Sequence, residues 1–396
     1  MAAERYDVAI VGGGIVGLAH ACVAADRGLR VGLFERSPVA AGATVRNFGM
    51  VWPVGQPAGR FHRLAMRSRD RWLRLGAAGV LEVEECGSIH AAHRADEADV
   101  LEEFCATGSH DVELLGPAEV TRRSGLVNPE GLVAGMWSPT ELRVDPRTAA
   151  SRLAAWLGGR PEVDVWFQTA VVRIEGRELV TARGQTFGAD RTIVCSGSDL
   201  QTLYPEHFAA SRLRLCKLQM LRTVSQPDPV ACQPHIASGL TLRHYASFEG
   251  LASIDAVRRR VATETPELDR YGIHVMASPF PGGEIVLGDS HEYDRDISPF
   301  DKVEIDDAIL RELRKVIRLQ DWTIRDRWHG IYAKHPSAPI FESQAADGVR
   351  LFVGPGGAGM TLAFGLAEEA WDRWHAATPA GGPDFRHSIT PTKGTA

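Results

Sequence analysis

Lysine is almost absent from this chain. Of 44 basic residues only Lys217, Lys302, Lys315, Lys334 and Lys393 are lysine. Paired cysteines are missing too. Cys22, Cys86, Cys105, Cys195, Cys216 and Cys232 are scattered, mostly in apolar runs, with no C-x-x-C spacing. That argues against a disulfide framework or a zinc site, and it reads as buried thiols in a reducing compartment. No metal site is expected. No apolar run approaches the roughly 20 residues of a membrane span. No basic segment followed by an apolar stretch opens the chain, so a cytoplasmic protein is expected. Surplus positive charge is lacking as well: the net charge is −6, which removes any global pull toward nucleic acid or membrane. Attraction for an anion must therefore be local.

The composition is ordinary for a soluble globular protein, 44% hydrophobic and 24% charged over 396 residues. That length suggests two interleaved domains. The most informative segment is the first. Tyr6–Val11 reads as a strand, followed at once by Gly12-Gly13-Gly14-Ile15-Val16-Gly17 and, after a helix, by the apolar run Val31–Phe34 closed by Glu35. A Gly-x-Gly-x-x-Gly box alone is weak, but here the whole strand–helix–strand–acid context is present. Gly12 permits the turn, Gly14 lets backbone approach a pyrophosphate, and Gly17 lets the helix pack close to the strand. The helix N-terminus, with Ile15 and Val16, offers N–H groups to phosphate. Glu35 sits where a carboxylate would accept from a ribose diol.

Further on, apolar spacing over Phe61–Leu75 predicts a helix with an arginine-rich outer face. Short strands are expected at Val80–Val83, Ser88–Ala92 and Leu132–Trp137, and short helices at Ala95–Thr107 and Pro117–Ser124. Asp145-Pro146 reads as N-cap and first residue of another helix. Strands follow at Val163–Phe167, Ala170–Ile174 and Arg191–Gly197, the last ending in small residues. Longer strands are expected at Leu213–Val224, Tyr271–Ala277, Glu284–Gly288 and Trp322–Ile331, interrupted by a helix at about Lys302–Leu319. Arg258-Arg259-Arg260 reads as a solvated helix face. Near the end, Arg350–Gly354 is a strand, Pro355–Thr361 a second glycine loop, and Leu362–Trp374 a helix. The tail from Thr378 is expected to fray.

Two glycine loops at opposite ends argue against a simple nicotinamide dehydrogenase, which needs one. A flavin needs backbone donors at its pyrophosphate and again at the pyrimidine end of the ring, where negative charge develops on reduction. With the Gly12–Gly17 box, Glu35, Thr44-Val45-Arg46-Asn47, Val194–Gly197 and Gly354–Thr361, the chain resembles the D-amino-acid oxidase superfamily of FAD-dependent enzymes, which includes glycine oxidase and sarcosine oxidase. The resemblance spans essentially the whole chain. It implies a mixed α/β fold: a glutathione-reductase-like FAD-binding Rossmann domain (1–79, 141–212 and 329–396) with an inserted antiparallel-sheet substrate domain (80–140 and 213–328). It also implies FAD as cofactor and oxidation of a C–N bond in a small amine by hydride transfer to flavin N5. O2 or another acceptor would take the electrons. A closer similarity, to the branch associated with phosphonate catabolism, rests on Arg46–Met50, Lys217–Met220, Arg243-His244-Tyr245, Gly288–Glu292 and Gly330–Lys334. It implies an aminophosphonate substrate such as 2-aminoethylphosphonate or its N-methyl derivative, giving an aldehyde. The other readings are a glycine, sarcosine or D-amino-acid oxidase, and a flavoprotein module without turnover.

Carried over residue by residue, the resemblance gives Glu35 and Arg36 to the adenosine, and Thr44, Arg46 and Asn47 to the loop under the pyrophosphate and ring. Val172 would contact adenine, Ser196 and Gly197 would lie near the pyrophosphate, and Gly354, Gly357, Gly359, Met360 and Thr361 would face the pyrimidine end. Many amino-acid oxidases place an arginine before the second glycine loop to clamp a carboxylate. His329–Pro336 has none, which weakens an α-amino-acid substrate and leaves room for another anion. Candidates for the anion clamp are Arg46, His244, Tyr245, His291, Tyr332 and Lys334. Arg46, His244, Tyr332 and Lys334 are the expected catalytic set, since a phosphonate favours several donors around one point. No cysteine or histidine carries a clear flavin-attachment signature. Oligomeric state is open.

Overall fold

The computed structural model describes residues 4–227 and 233–376, with no side-chain detail for the last two. Cys232, Lys393 and the segment from Thr378 lie outside the described residues. Strand β1 (Arg5–Val11), helix α1 (Ile15–Asp26) and strand β2 (Val31–Phe34) form the expected βαβ unit, with β1 and β2 parallel. They sit in an eight-stranded sheet. On one side β1 pairs in parallel with Thr186–Val194, and β2 pairs in parallel with Val163–Trp166. Thr186–Val194 also takes Val349–Val353 in parallel, which brings the C-terminal region to the N-terminal strand.

Alternation along β1 sends its two faces into different cores: Val8 and Ile10 into one, Ala9 and Val11 into the other. The first core is covered by α1 and the helices Arg60–Ala77, Pro146–Gly158 and Gly359–Ala376. Asp145 caps Pro146–Gly158, accepting from the Arg147 N–H at 2.9 Å. The C-terminal helix meets Arg60–Ala77 very closely. A Cβ at Gly365 would lie 2.2 Å from the Leu64 carbonyl oxygen. Across the same contact the Gly365 N–H donates to Ser68 Oγ at 2.8 Å, and Trp72 Nε1 donates to the Met360 carbonyl at 2.9 Å.

The second sheet has nine strands, among them Arg214–Thr223, Met276–Pro279, Ile285–Gly288 and Ile324–Lys334. It is mixed rather than purely antiparallel: His235–Ser238 runs parallel to Ser88–Ala92. Between Tyr271 and Ala277 the expected strand starts late. Gly272, at φ +56°, turns the chain, and only Met276–Pro279 joins the ladder. Ile324–Lys334 pairs with Arg214–Thr223 along its whole length. The expected domain boundary at 328/329 falls inside this strand, whose last residues belong to the second sheet. The arginine cluster is not simply solvated, because Arg260 is mostly buried and pairs with Asp96 at 2.7 Å and Glu97 at 2.8 Å. Among the described residues, no helix is long and apolar enough to cross a membrane.

One buried group makes the fold sensitive to acid. His20 on α1 is fully buried, neither ring nitrogen has a partner, and it packs edge-on to Phe352 at 4.4 Å. Burial pushes its pKa down to about 3. The unfolded chain takes up this proton below about pH 6.5 while the folded ring stays neutral, so stability is fullest above pH 6.5 and falls as pH drops toward 3. At about 1.4 kcal/mol per pH unit, His20→Leu should remove about 2 kcal/mol of the acid loss between pH 6.5 and pH 5. Chemical denaturation at the two pH values measures it; equal losses in variant and wild type would refute the assignment.

Candidate active site

One cavity of about 1090 Å³ runs between the two sheets, large against the roughly 300–1,000 Å³ of ordinary ligand pockets. Both glycine loops line it. So do Glu35, Arg36, Thr44, Arg46, Asn47, Val172, Ser196, Gly197, His244, Tyr332 and Lys334. Of the residues expected at the site, Gly17 alone is not on its wall. It backs against the turn instead: a Cβ there would lie 1.9 Å from the Gly12 carbonyl oxygen, and one on Gly12 2.2 Å from that of Cys195. These contacts are backbone and cannot swing away.

The glycine box is tied down by side chains that follow it. Glu35 accepts from the Gly13 N–H at 2.7 Å and the Ser37 N–H at 2.8 Å. Thr44 Oγ1 accepts from the Ile15 N–H at 2.9 Å, so that helix donor is already used. The N–H groups of Gly14 and Val16 have no acceptor among the described residues. Asn47 has a supporting task. Its amide donates to the Ala43 and Thr44 carbonyls and its oxygen accepts from Gly49, which shapes the loop from within. Thr361 likewise accepts from the Trp52 N–H at 2.9 Å. Arg36 pairs with Asp199 at 2.7 Å, and Val172 is exposed at the rim. Ser196 Oγ is buried without a partner in the cavity wall.

At the other end, the strand Ile324–Lys334 comes down on the second glycine loop. Lys334 bridges to Pro355. A Cβ on Gly356 would touch the Lys334 side chain at 3.4 Å, and one on Gly357 would meet the Tyr332 hydroxyl at 3.5 Å. Lys334 Nζ donates to Tyr293 Oη at 3.3 Å and has no carboxylate partner among the described residues. Arg46 donates to the His329 carbonyl at 3.3 Å and also has none among the described residues. Arg243 and Arg258 line the cavity as well, but they pair with Asp269 and Asp255.

Beside Lys334 lies a group that the sequence conceals. His244, His274 and His291 bring their ring nitrogens within 4.8 Å of one another, a spacing at which a metal ion could be held although none was expected. The ring centroids of His244 and His274 are 3.8 Å apart and those of His244 and His291 4.3 Å. Asp289 lies behind them, its oxygens 3.3 Å from His274 Nε2 and 3.9 Å from His291 Nε2. Burial, reinforced by the neighbouring rings, Lys334 and Arg243, holds His244 and His274 well below the usual imidazole range, and burial holds His291 at about 3. Burial also pushes the Asp289 carboxyl well above its usual range. His244 and His291 were candidates from the sequence. His274 was not, because it sat in what read as a strand and nothing in its spacing ties it to the others.

A match to the family model described as FAD dependent oxidoreductase covers residues 7–373. The chain belongs to this family. Its cofactor is FAD, and the cradle fits that group: two glycine loops a long way apart in sequence, open N–H groups at a helix start, and a buried unpartnered hydroxyl. The glycine oxidase of Geobacillus kaustophilus is 27% identical over 209 residues, 49% of this chain and 55% of that protein. The match thus spans about half the length of that curated relative. The solved structure of glycine oxidase from Geobacillus kaustophilus superposes with a TM-score of 0.73 at 20% identity, covering 93% of this chain and 94% of the other. L-alpha-glycerophosphate oxidase from Mycoplasma pneumoniae, solved with FAD bound, gives 0.71 at 17% identity, covering 93% and 94%. At such identities the likeness shows the fold.

The backbone contact at Gly17 yields a direct expectation. Forcing a methyl group against a carbonyl typically costs about 1–3 kcal/mol, so Gly17→Ala should weaken FAD retention about tenfold or more. Gly250→Ala, where an added Cβ meets nothing within 4 Å, serves as the control. The flavin-to-protein absorbance ratio of the purified variants reads the effect, and an equally yellow Gly17→Ala protein would contradict it.

Proposed function

We propose that this protein oxidises the C–N bond of a small amine carrying a multiply charged anionic head, an aminophosphonate such as 2-aminoethylphosphonate or its N-methyl derivative, giving an aldehyde and ammonia or methylamine. The observation that carries this reading is that Arg46 and Lys334 line one cavity, neither with a carboxylate partner among the described residues. Two uncompensated cations favour an anion, and a phosphonate offers three acceptors to several donors at once. Tyr245 and Tyr332 supply hydroxyls, which burial keeps neutral and able to donate.

FAD, when bound, supplies the hydride acceptor. The chain's own residues bind and orient the amine, and the buried Tyr332, His274 and His291, with half-buried His244 and Tyr245, keep water away. The second reading, a glycine, sarcosine or D-amino-acid oxidase, is favoured by the similarity to glycine oxidase. No arginine stands on the strand that ends at Lys334 beyond Arg327, which argues against a bidentate carboxylate clamp there. A flavoprotein module without turnover fits less well, since the cavity continues past the glycine loops to a polar wall.

Mixing the protein anaerobically with small amines separates these readings. Aminophosphonates should bleach the flavin. Bleaching by glycine or sarcosine with none by either aminophosphonate would overturn the phosphonate reading. Lys334→Met should keep its flavin yet bind the aminophosphonate about tenfold to a hundredfold more weakly, the worth of one charge-assisted hydrogen bond at about 1.5–3 kcal/mol. The substrate-concentration dependence of bleaching measures it.

A further inference from the structure

We propose that the His244–His274–His291 cluster is the proton acceptor for the substrate's ammonium group, with Asp289 positioning it. This rests on the reading of the cavity as an amine-oxidising site. An aliphatic amine arrives mostly protonated at neutral pH. Hydride can leave the adjacent carbon only when nitrogen has a lone pair to release, so the ammonium proton must first move.

Few groups on the cavity wall can receive it. Glu35 is held by two backbone N–H groups, Asp199 by Arg36 and His335 by the Ser337 N–H, while Glu249 is exposed and Asp289 belongs to the cluster itself. Arg46 and Lys334 bring positive charge, and the tyrosines are neutral donors. The three imidazoles remain, packed with ring centroids 3.8–4.9 Å apart. His274 is 3% exposed and neither of its ring nitrogens has a hydrogen-bond partner. His291 Nδ1 lies 3.3 Å from the Gly272 carbonyl, so it carries the hydrogen and leaves Nε2 as the basic atom, facing Asp289. His244 is the member with access along the cavity.

The step balances simply. An N–H bond of the ammonium breaks with its electron pair staying on the amine, and an N–H bond forms on a ring nitrogen. The imidazolium then faces an acceptor oxygen of the Asp289 carboxyl on one side and the substrate's anionic head on the other. The remaining groups around the cluster are Lys334, Arg243, Cys216, Tyr245, Tyr293 and Tyr332. Lys334 and Arg243 oppose a proton on the rings until an anion compensates them. The cluster therefore accepts the proton only when the cavity holds an anionic amine, which couples head-group recognition to activation of the nitrogen. The same positive neighbours disfavour a divalent metal at this position.

The test is the limiting rate of anaerobic flavin bleaching at saturating substrate, followed from pH 6 to pH 10 in the holoenzyme. With an anionic amine the wild-type rate should be flat above about pH 7. With an uncharged-headed amine such as propylamine it should climb about tenfold per pH unit toward the amine's own pKa. Asp289→Asn and His244→Asn should give that climb with the anionic amine too, and approach the wild-type rate near pH 10. A variant that loses rate equally at every pH has only a structural defect and overturns the proposal. A wild-type rate that itself climbs tenfold per unit with the anionic amine does the same without any variant. Stoichiometric divalent metal in the purified protein, with chelation abolishing bleaching, would make the cluster a metal site instead. If only carboxylate amines bleach the flavin, the phosphonate reading fails while the same profiles, run with glycine, still decide this one.

Discussion

Eleven residues of β-strand, Ile324–Lys334, are the member on which the rest of the site hangs. The strand is zipped to Arg214–Thr223 over its whole length, so its end is fixed by the second sheet. That end bridges to Pro355, at the head of the loop that serves the first sheet. Two sheets that could slide past each other are thereby joined at one residue pair, and side-chain alternation puts Tyr332 and Lys334 on the same side of the junction. Flavin cradle and substrate wall meet there because the backbone leaves them no other register.

The electrostatics of the cavity follow from what is paired and what is not. Most arginines of this chain sit in ion pairs at the surface, where each contributes little. Arg46 and Lys334 escape that pairing and face a shared space. Buried imidazoles next to them stay neutral because charging them would add like charge in a poorly screened interior. The site thus has donors with positive charge and acceptors without it, a combination that a zwitterion matches and a simple anion does not.

Much of the fold and the cofactor half of the site was legible in the sequence, and the reasons are local. Glycine at Gly12 and Gly17 is required by backbone contacts within a few residues or one strand, and Glu35 closes a unit of fixed length. The second loop, Gly354–Thr361, announces itself by glycine density. The substrate half was less legible, because His244, His274 and His291 come from separate elements and meet only through tertiary packing. Asn47 and Thr361 were placed at the site from their loops, yet their side chains are spent on shaping those loops. The late start of Met276–Pro279 and the parallel pairing of His235–Ser238 depend on neighbours far away in sequence, which periodicity does not encode. The close seat of Gly365 on Leu64 had no signal at all beyond a glycine in a helix.

That last contact carries a consequence for the order in which the molecule is made. Trp72 and Met360, bonded across this helix contact, are 288 residues apart. At roughly 5–20 residues per second on the ribosome, the Gly12–Gly17 motif spends about 17–70 s without the helix that completes it. A dinucleotide would find only half a grip during synthesis. Cofactor capture is therefore coupled to docking of the helix Gly359–Ala376, and the supply of FAD matters once that helix has been made rather than when the signature motif first appears.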